Sequence, residues 1–313
     1  MALAVEVFRG QPAEPAHPAR RPRGGTLSLL VVATRPRQWL KNVFVLAPVL
    51  FNGKAAEWVP LARSLAATAS FCGLSGAIYL VNDILDRKRD ALHPVKRYRP
   101  VASGAVAPWL ALVTAVGLAV ASLTAAALLD GRFLALAITY VVLMIAYSTA
   151  LKNVVIADVL SIAGGFVLRA VAGCAVIAAP ISPWLFICTA LVTLFLALGK
   201  RRHELSRLAG GAAQHRPVLR KYNEPFLDQL ISITTTACLV SYLLYCVLSE
   251  TALKHQNLLL TAPFVVYGLF RYLYCIYRKG RGGSPEDILL RDKVFLGTGV
   301  AYAAAVLFVM YLT

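Results

Sequence analysis

Nine stretches of 15 to 24 mostly apolar residues, separated by polar segments that are mostly short, limit what this 313-residue chain can become. Crossing a hydrocarbon core of about 30 Å takes about 20 apolar residues in a helix, which satisfies its own backbone polar groups where no water can do so. The pattern predicts spans at 38–52, 61–82, 108–129, 133–151, 154–177, 184–199, 226–248, 257–277 and 291–312. The first, from Trp39 to Phe51, is short enough for a re-entrant or tilted segment, which keeps eight spans open beside nine. With 58% hydrophobic and 15% charged residues, soluble domains are excluded. The expected fold class is an all-α polytopic membrane protein, one transmembrane domain over residues 35–313. A disordered tail is expected at 1–34, because its Pro and Arg residues surround no apolar core with a cleavage site and so form no signal peptide.

A formal net charge of +17 does not point to nucleic acid, because the Lys and Arg residues fall between apolar segments instead of covering a soluble face. They fix orientation instead. Of the 32, 26 lie on the side of the N-terminus, four (Lys54, Arg63, Arg132 and Lys254) lie on the other, and Arg169 and Arg271 fall inside spans. Positive residues are retained in the cytoplasm, so the N-terminus is expected there and, after nine spans, the C-terminus outside. The membrane is expected to be the cell membrane, and Trp39, Trp58, Trp109 and Trp184 sit near span ends as interfacial indoles should. The six cysteines at 72, 174, 188, 238, 246 and 275 all lie in apolar stretches without a CxxC pair, and are read as small buried hydrophobes. The two long loops of about 25 residues carry most of the charge of both signs, so any chemistry is expected to face the cytoplasm.

One such loop opens on Asn82-Asp83-Ile84-Leu85-Asp86-Arg87-Lys88-Arg89-Asp90. On a continuing helix Asp83, Asp86 and Asp90 share one face, with Asn82 beside them. Three like charges repel, so either Arg and Lys neutralise them or Mg²⁺ does. Mg²⁺ takes one or two carboxylates together with substrate phosphates, so the carboxylate trio suggests a Mg²⁺-diphosphate site. The opposing reading is a solvated helix end whose acids pair with Arg87, Lys88 and Arg89. The Pro- and Gly-punctuated run from His93 to Gly104 follows, and its Lys96, Arg97 and Arg99 are placed to close over a phosphate. His93 itself reads as a loop residue. A second group comprises Tyr147, Lys152 and, six residues on, Asp158, an ionisable residue at membrane depth and so a functional candidate. Arg169 is eleven residues further, about 16 Å deeper at 1.5 Å per residue, and a structural pair inside the bundle competes there with substrate binding.

Asn82-Asp83-x-x-Asp86-x-x-x-Asp90, the Tyr147-Ser148-x-x-Leu151-Lys152 element and nine spans resemble the UbiA superfamily of intramembrane prenyltransferases. Arg35 to Asn42, Asn82 to Gly104, Tyr147 to Gly173 and Leu198 to Leu205 carry the resemblance, which is strongest to a phosphoribosyl-transferring branch and covers about residues 35 to 205. It implies a UbiA-like bundle of nine helices with a cytoplasm-facing cavity, and it leaves room for a homo-oligomer. Typical members of the superfamily have a second Asp-rich motif after the sixth span. Here that position reads Gly199-Lys200-Arg201-Arg202-His203-Glu204. Bases hold a phosphate without a metal, so the expected pocket takes a Mg²⁺-bound diphosphate at the Asp cluster and a monophosphate among Lys152, Lys200, Arg201 and Arg202.

The resemblance therefore implies an Mg²⁺-dependent phosphoribosyltransferase. It would join phosphoribosyl pyrophosphate to a polyprenyl (decaprenyl) monophosphate, giving a precursor of lipid-linked arabinose for cell-wall arabinan. In that scheme Asp83, Asp86, Asp90 and Asp158 are catalytic, and Asp83, Asp86 and Asn82 hold the Mg²⁺. Asn82, Lys41, Lys96, Arg97, Arg99, Tyr147, Lys152, Arg169, Lys200, Arg201 and Arg202 bind substrate, with Arg37 and Lys41 on one face of the first span, four residues apart. Competing readings are a prenyltransferase that joins an isoprenyl diphosphate to a lipophilic acceptor, and a carrier for an anionic metabolite. A carrier would show internal repeats and broken midplane helices, and no convincing repeat is present.

Overall fold

In the computed structural model the described residues are 24–92, 96–207, 217–279, 285, 288 and 292–311. Among them are eight helices long and apolar enough to cross a membrane: α3 (Trp58–Leu85), α5 (Pro108–Leu129), α6 (Gly131–Thr149), α7 (Ala157–Val176), α8 (Pro183–Arg207), α9 (Glu224–Leu248), α11 (Ala262–Tyr277, which continues the 3-10 turn Gln256–Thr261) and α12 (Lys293–Tyr311). Short helices are α1 (Thr26–Ala33), α2 (Ala47–Phe51), α4 (Arg87–Ala91) and α10 (Glu250–Lys254).

The first predicted span is not a ninth membrane-length helix. It is a ten-residue 3-10 helix, Pro36–Val45, followed by α2. Pro36 and Pro48 each remove a backbone donor, Arg35 enters in the left-handed region at φ 57°, and Asn42 carries a fully buried amide where an apolar residue would favour a plain span. The segment still runs the length of α3. Arg35 reaches Asp83 at one end of that helix, while at the other end the Ala55 N–H donates to the Tyr311 hydroxyl at 2.9 Å. A 3-10 helix also has three residues per turn, so Lys41 shares a face with Gln38 and not with Arg37.

Two further expectations change. The tail expected at 1–34 contains α1, whose Leu29 and Ala33, four residues apart, bury themselves against a cluster with Leu80, Val101 and Ala111; residues 1–23 lie outside the described residues. The sixth predicted span ends at 199, whereas α8 continues to Arg207. Charged residues extend it because Arg201 is tied to Glu204 one turn on. Elsewhere the local signals hold. Pro108 starts α5, and Asp130 ends that helix and caps α6, accepting from the N–H groups of Arg132 and Phe133.

Two cores meet at α7. Phe71, Leu74, Phe133, Tyr140 and Val176 pack α3 and α6 against one face of it. Phe195, Leu198, Leu227 and Tyr272 join α8, α9 and α11 around Val159 on the other. The 3-10 segment lies against α7 so closely that a Cβ on Gly173 would come 2.2 Å from the Val45 carbonyl oxygen. All six cysteines are free and buried or half-buried. The run 282–287 and His93 lie almost wholly outside the described residues.

Candidate active site

At one end of the bundle α3 stops at Leu85, Asp86 caps it, and α4 starts again at Arg87. Asp83 and Asp90 are buried and Asp86 is half-buried. The cations that neutralise them are not the adjacent Arg87, Lys88 and Arg89, which are exposed. Arg35, from the start of the 3-10 segment, pairs with Asp83. Arg99 bridges Asp83 Oδ1 at 3.2 Å and Asp90 Oδ2. Lys152 Nζ lies 3.4 Å from Asp86 Oδ1. Three acids from one turn region thus meet three cations drawn from separate segments. Arg35 and Arg99, the covers of Asp83, are themselves 25 and 27% exposed, so that rearrangement of side chains alone can uncover the carboxylate.

Asn82 Oδ1 is buried without a hydrogen-bond partner. An orphaned amide oxygen costs about 1–3 kcal/mol, and an amide oxygen is a ligand type that Mg²⁺ accepts. Among the described residues no three His, Cys, Asp or Glu side chains gather as a metal set. Around this cluster, Lys41 Nζ donates to Gln38 Oε1 at 2.9 Å, the Tyr79 hydroxyl donates to the same oxygen at 2.9 Å, and Arg35 stacks 4.7 Å over the Tyr79 ring. Lys96 begins a short 3-10 turn over Lys96–Tyr98, and Arg97 is exposed and folded on Tyr98.

The second group is organised differently. Ile156 sits at φ 69°, a strained conformation for a β-branched residue. The tight turn closed by the Ala157 N–H on the Val155 carbonyl at 2.8 Å starts α7 there. The turn presents the Ile156 N–H to the Tyr222 hydroxyl at 2.7 Å, and that hydroxyl donates to Asp158 Oδ1 at 2.8 Å. Burial, reinforced by the bond to Asp158, pushes the Tyr222 phenol up to about 12, so it stays a neutral donor. Arg201 Nε donates to Asp158 Oδ2 at 2.7 Å and Arg201 Nη1 to Glu204 at 2.7 Å.

Several of the expected substrate-binding residues have partners within the protein. Asp158 and Arg201 are 0 and 1% exposed and hold each other. Arg202 pairs with Glu224 at 3.0 Å and Asp228 at 2.8 Å and lies over the Tyr277 ring. In this conformation its charge is taken up in joining α8 to α9. Arg169 is buried with neutral partners inside the bundle: Asn42 Oδ1 at 2.7 Å, the Tyr140 hydroxyl at 2.7 Å, Ser75 and the Gly165 carbonyl, with the Tyr140 ring 4.5 Å away. Through Asn42 it fastens the 3-10 segment to α7. Lys200 is half-buried, and Tyr147, also half-buried, lies within electrostatic reach of Arg201. Arg35, Gln38, Tyr79 and Tyr222 are the participants that spacing did not single out. Arg35 is 48 residues from its partner Asp83, and no local pattern signals that contact.

Residues 43–286 match the UbiA prenyltransferase family. A decaprenyl-phosphate phosphoribosyltransferase of Mycolicibacterium smegmatis is 34% identical over 294 residues, covering 90% of this chain and 92% of the relative. One of Corynebacterium glutamicum is 32% identical over 302 residues, covering 94 and 90%. In structure, a UbiA homolog from Archaeoglobus fulgidus bound to DMAPP and Mg²⁺ superposes with a TM-score of 0.69 over 90% of this chain and 99% of that one, at 17% identity.

Proposed function

This chain belongs to the UbiA prenyltransferase family, and on that premise we propose that it transfers the 5-phosphoribosyl group of phosphoribosyl pyrophosphate to a polyprenyl monophosphate, as the names of its mycobacterial and corynebacterial relatives suggest. The observation that carries the reading is the set of three acids faced by Arg35, Arg99 and Lys152 from three different segments. Each cation is held by a carboxylate that a divalent ion can claim, and each then has phosphate oxygens as its next partner.

Asp83, Asp86 and Asn82 would hold Mg²⁺, which supplies Lewis-acid stabilisation of the departing pyrophosphate. Arg35 and Arg99 would grip the diphosphate from two sides and fix C1 of the ribose for attack. The acceptor phosphate is ionised at neutral pH and needs no general base. Its oxygen forms the new bond to C1 as the C1–O bond to pyrophosphate breaks, with inversion. Lys152, at the edge of the acid cluster, is the cation assigned to the acceptor phosphate. Asp158 and Tyr222 are positioning residues that set the turn carrying Lys152 into α7. Because positive residues are retained inside, the site is assigned to the cytoplasmic face of the cell membrane.

The test is transfer of label from phosphoribosyl pyrophosphate to decaprenyl phosphate by the purified protein with Mg²⁺. Wild type should label the lipid, and Asp83→Asn should lower kcat/KM at least about a hundredfold, as expected when charge stabilisation at the reacting centre is lost. Product from an isoprenyl diphosphate and an aromatic acceptor, with no labelled decaprenyl phosphate, would overturn the assignment.

A further inference from the structure

Arg87, Lys88 and Arg89 stand between two acids of the site, Asp86 and Asp90, yet pair with neither. Those acids are taken by Lys152 and Arg99. The three consecutive cations are exposed and meet no acid among the described residues. Adjacent like charges repel, and a helix of five residues is marginal by itself. α4 thus carries a local excess of positive charge that the chain does not neutralise.

Depth and apolar exposure say what kind of partner fits. α3 has 28 residues, about 42 Å at 1.5 Å per residue, which matches a bilayer with its headgroups, about 40–45 Å. Exposed Trp58 marks one boundary as an interfacial indole, so α4 begins at headgroup level on the other. The Asp86 N–H donates to the Asn82 carbonyl at 2.9 Å and the Asp90 N–H to the Asp86 carbonyl at 2.8 Å. These bonds carry the helical turn through the junction and set Leu85, Arg89 and Leu92 on one face. Leu85 is 59% and Leu92 89% exposed. A soluble polyanion would cover the cations and leave both leucines in water. A leaflet of anionic phospholipid covers both, with acyl chains against the leucines and phosphates on the cations, whose long stems reach up to them.

We propose that α4 is a docking surface for anionic phospholipid headgroups of the leaflet it emerges from, and that this contact steadies Asp86 and Asp90, which bracket its cations. The kinetic half of the proposal rests on the phosphoribosyltransferase reading; the binding half does not. The test places the purified protein in nanodiscs of phosphatidylcholine with and without phosphatidylglycerol, and counts the lipid it retains by native mass spectrometry. The triple variant Arg87→Gln, Lys88→Gln, Arg89→Gln removes the charge, and the double variant Arg87→Lys, Arg89→Lys keeps it.

Each cation beside an anionic surface contributes about fivefold in affinity. Preference for phosphatidylglycerol over phosphatidylcholine should therefore fall about tenfold or more in the glutamine variant and persist in the lysine variant. Phosphatidylglycerol should raise kcat/KM of wild type and the lysine variant about twofold or more, the scale of one surface charge contact, and added salt should weaken the effect. The glutamine variant should not respond, and in phosphatidylcholine alone all three proteins should share one kcat/KM. Equal retention of phosphatidylglycerol by wild type and the glutamine variant overturns the docking surface. A retention difference with kcat/KM indifferent to lipid overturns the link to Asp86 and Asp90. A glutamine variant that is slower in phosphatidylcholine as well assigns the cations to substrate steering and overturns the proposal. A wild type that labels no acceptor in either nanodisc overturns the transfer reaction, while the lipid count still decides the surface.

Discussion

Two arginines show how the same residue type can serve the site or the scaffold. Arg99 is partly exposed and divides its guanidinium between Asp83 and Asp90, an arrangement that ligand oxygens can replace. Arg99→Ala should therefore raise KM for phosphoribosyl pyrophosphate about tenfold or more, the loss expected for a charge-assisted contact, while KM for the acceptor lipid changes little; steady-state kinetics with each substrate varied in turn checks it. Arg169 is buried with neutral acceptors, so every lost partner leaves a charge less satisfied in a low-dielectric interior. Asn42→Ala should cost about 1.5–3 kcal/mol of stability, read as a lower midpoint of thermal unfolding in detergent. The sequence marks both arginines as charged residues in or beside apolar surroundings, and depth along α7 correctly separates Arg169 from Asp158. What it cannot express is partner identity. Arg201 and Arg202 look like a basic patch because their acids, Asp158, Glu224 and Asp228, lie 22 to 43 residues away in the chain.

Helices were legible where one local rule decided them. Pro108 and Asp130 delimit α5 at the predicted 108–129. The first segment was not, because its 3-10 form depends on Pro36, Pro48 and Asn42 together with contacts to α7, such as that of Asn42 with Arg169, whose partners lie more than a hundred residues away in the chain. Gly173 is the small residue that permits the contact, and Gly173→Val should be severely destabilising, since the new side chain meets the Val45 backbone, which cannot rotate aside; loss of the monodisperse peak in size-exclusion chromatography would report it. At the far end of the chain Asp292 caps α12 through the Phe295 N–H at 3.0 Å and takes Lys279 at 2.8 Å and Arg271 at 3.1 Å. Burial alone would raise its carboxyl, but Lys279, the Phe295 N–H and Arg271 hold it well below the usual carboxylate range. A carboxyl lowered in the folded state stabilises fully above its unfolded value, near pH 4, and loses that contribution only as pH falls further. The stability deficit of Asp292→Asn should be constant between pH 8 and 5 and shrink below pH 4, as followed by thermal unfolding across that range.

Across the whole molecule, the acidic cluster and the two basic runs lie at one end of the bundle. The opposite end holds Arg63, committed to the carbonyls of Val176 at 2.8 Å and Leu129 at 2.6 Å. That cation neutralises helix C-termini. Segregation of this kind is what the 26-to-4 distribution of Lys and Arg encodes, and it survives the change from nine membrane-length helices to eight, because the 3-10 segment still joins the two ends of α3. Chemistry and topology therefore make one joint prediction. Arg89→Cys, exposed beside the acid cluster, should react with a membrane-impermeant maleimide in inside-out vesicles and be protected in right-side-out ones, and Lys254→Cys should do the reverse. The native cysteines contribute little background, being buried or half-buried. Labelling of both engineered sites from the same side would contradict the charge argument, and Arg89→Cys reacting from outside would place the phosphate site away from the cytoplasmic supply of its sugar donor.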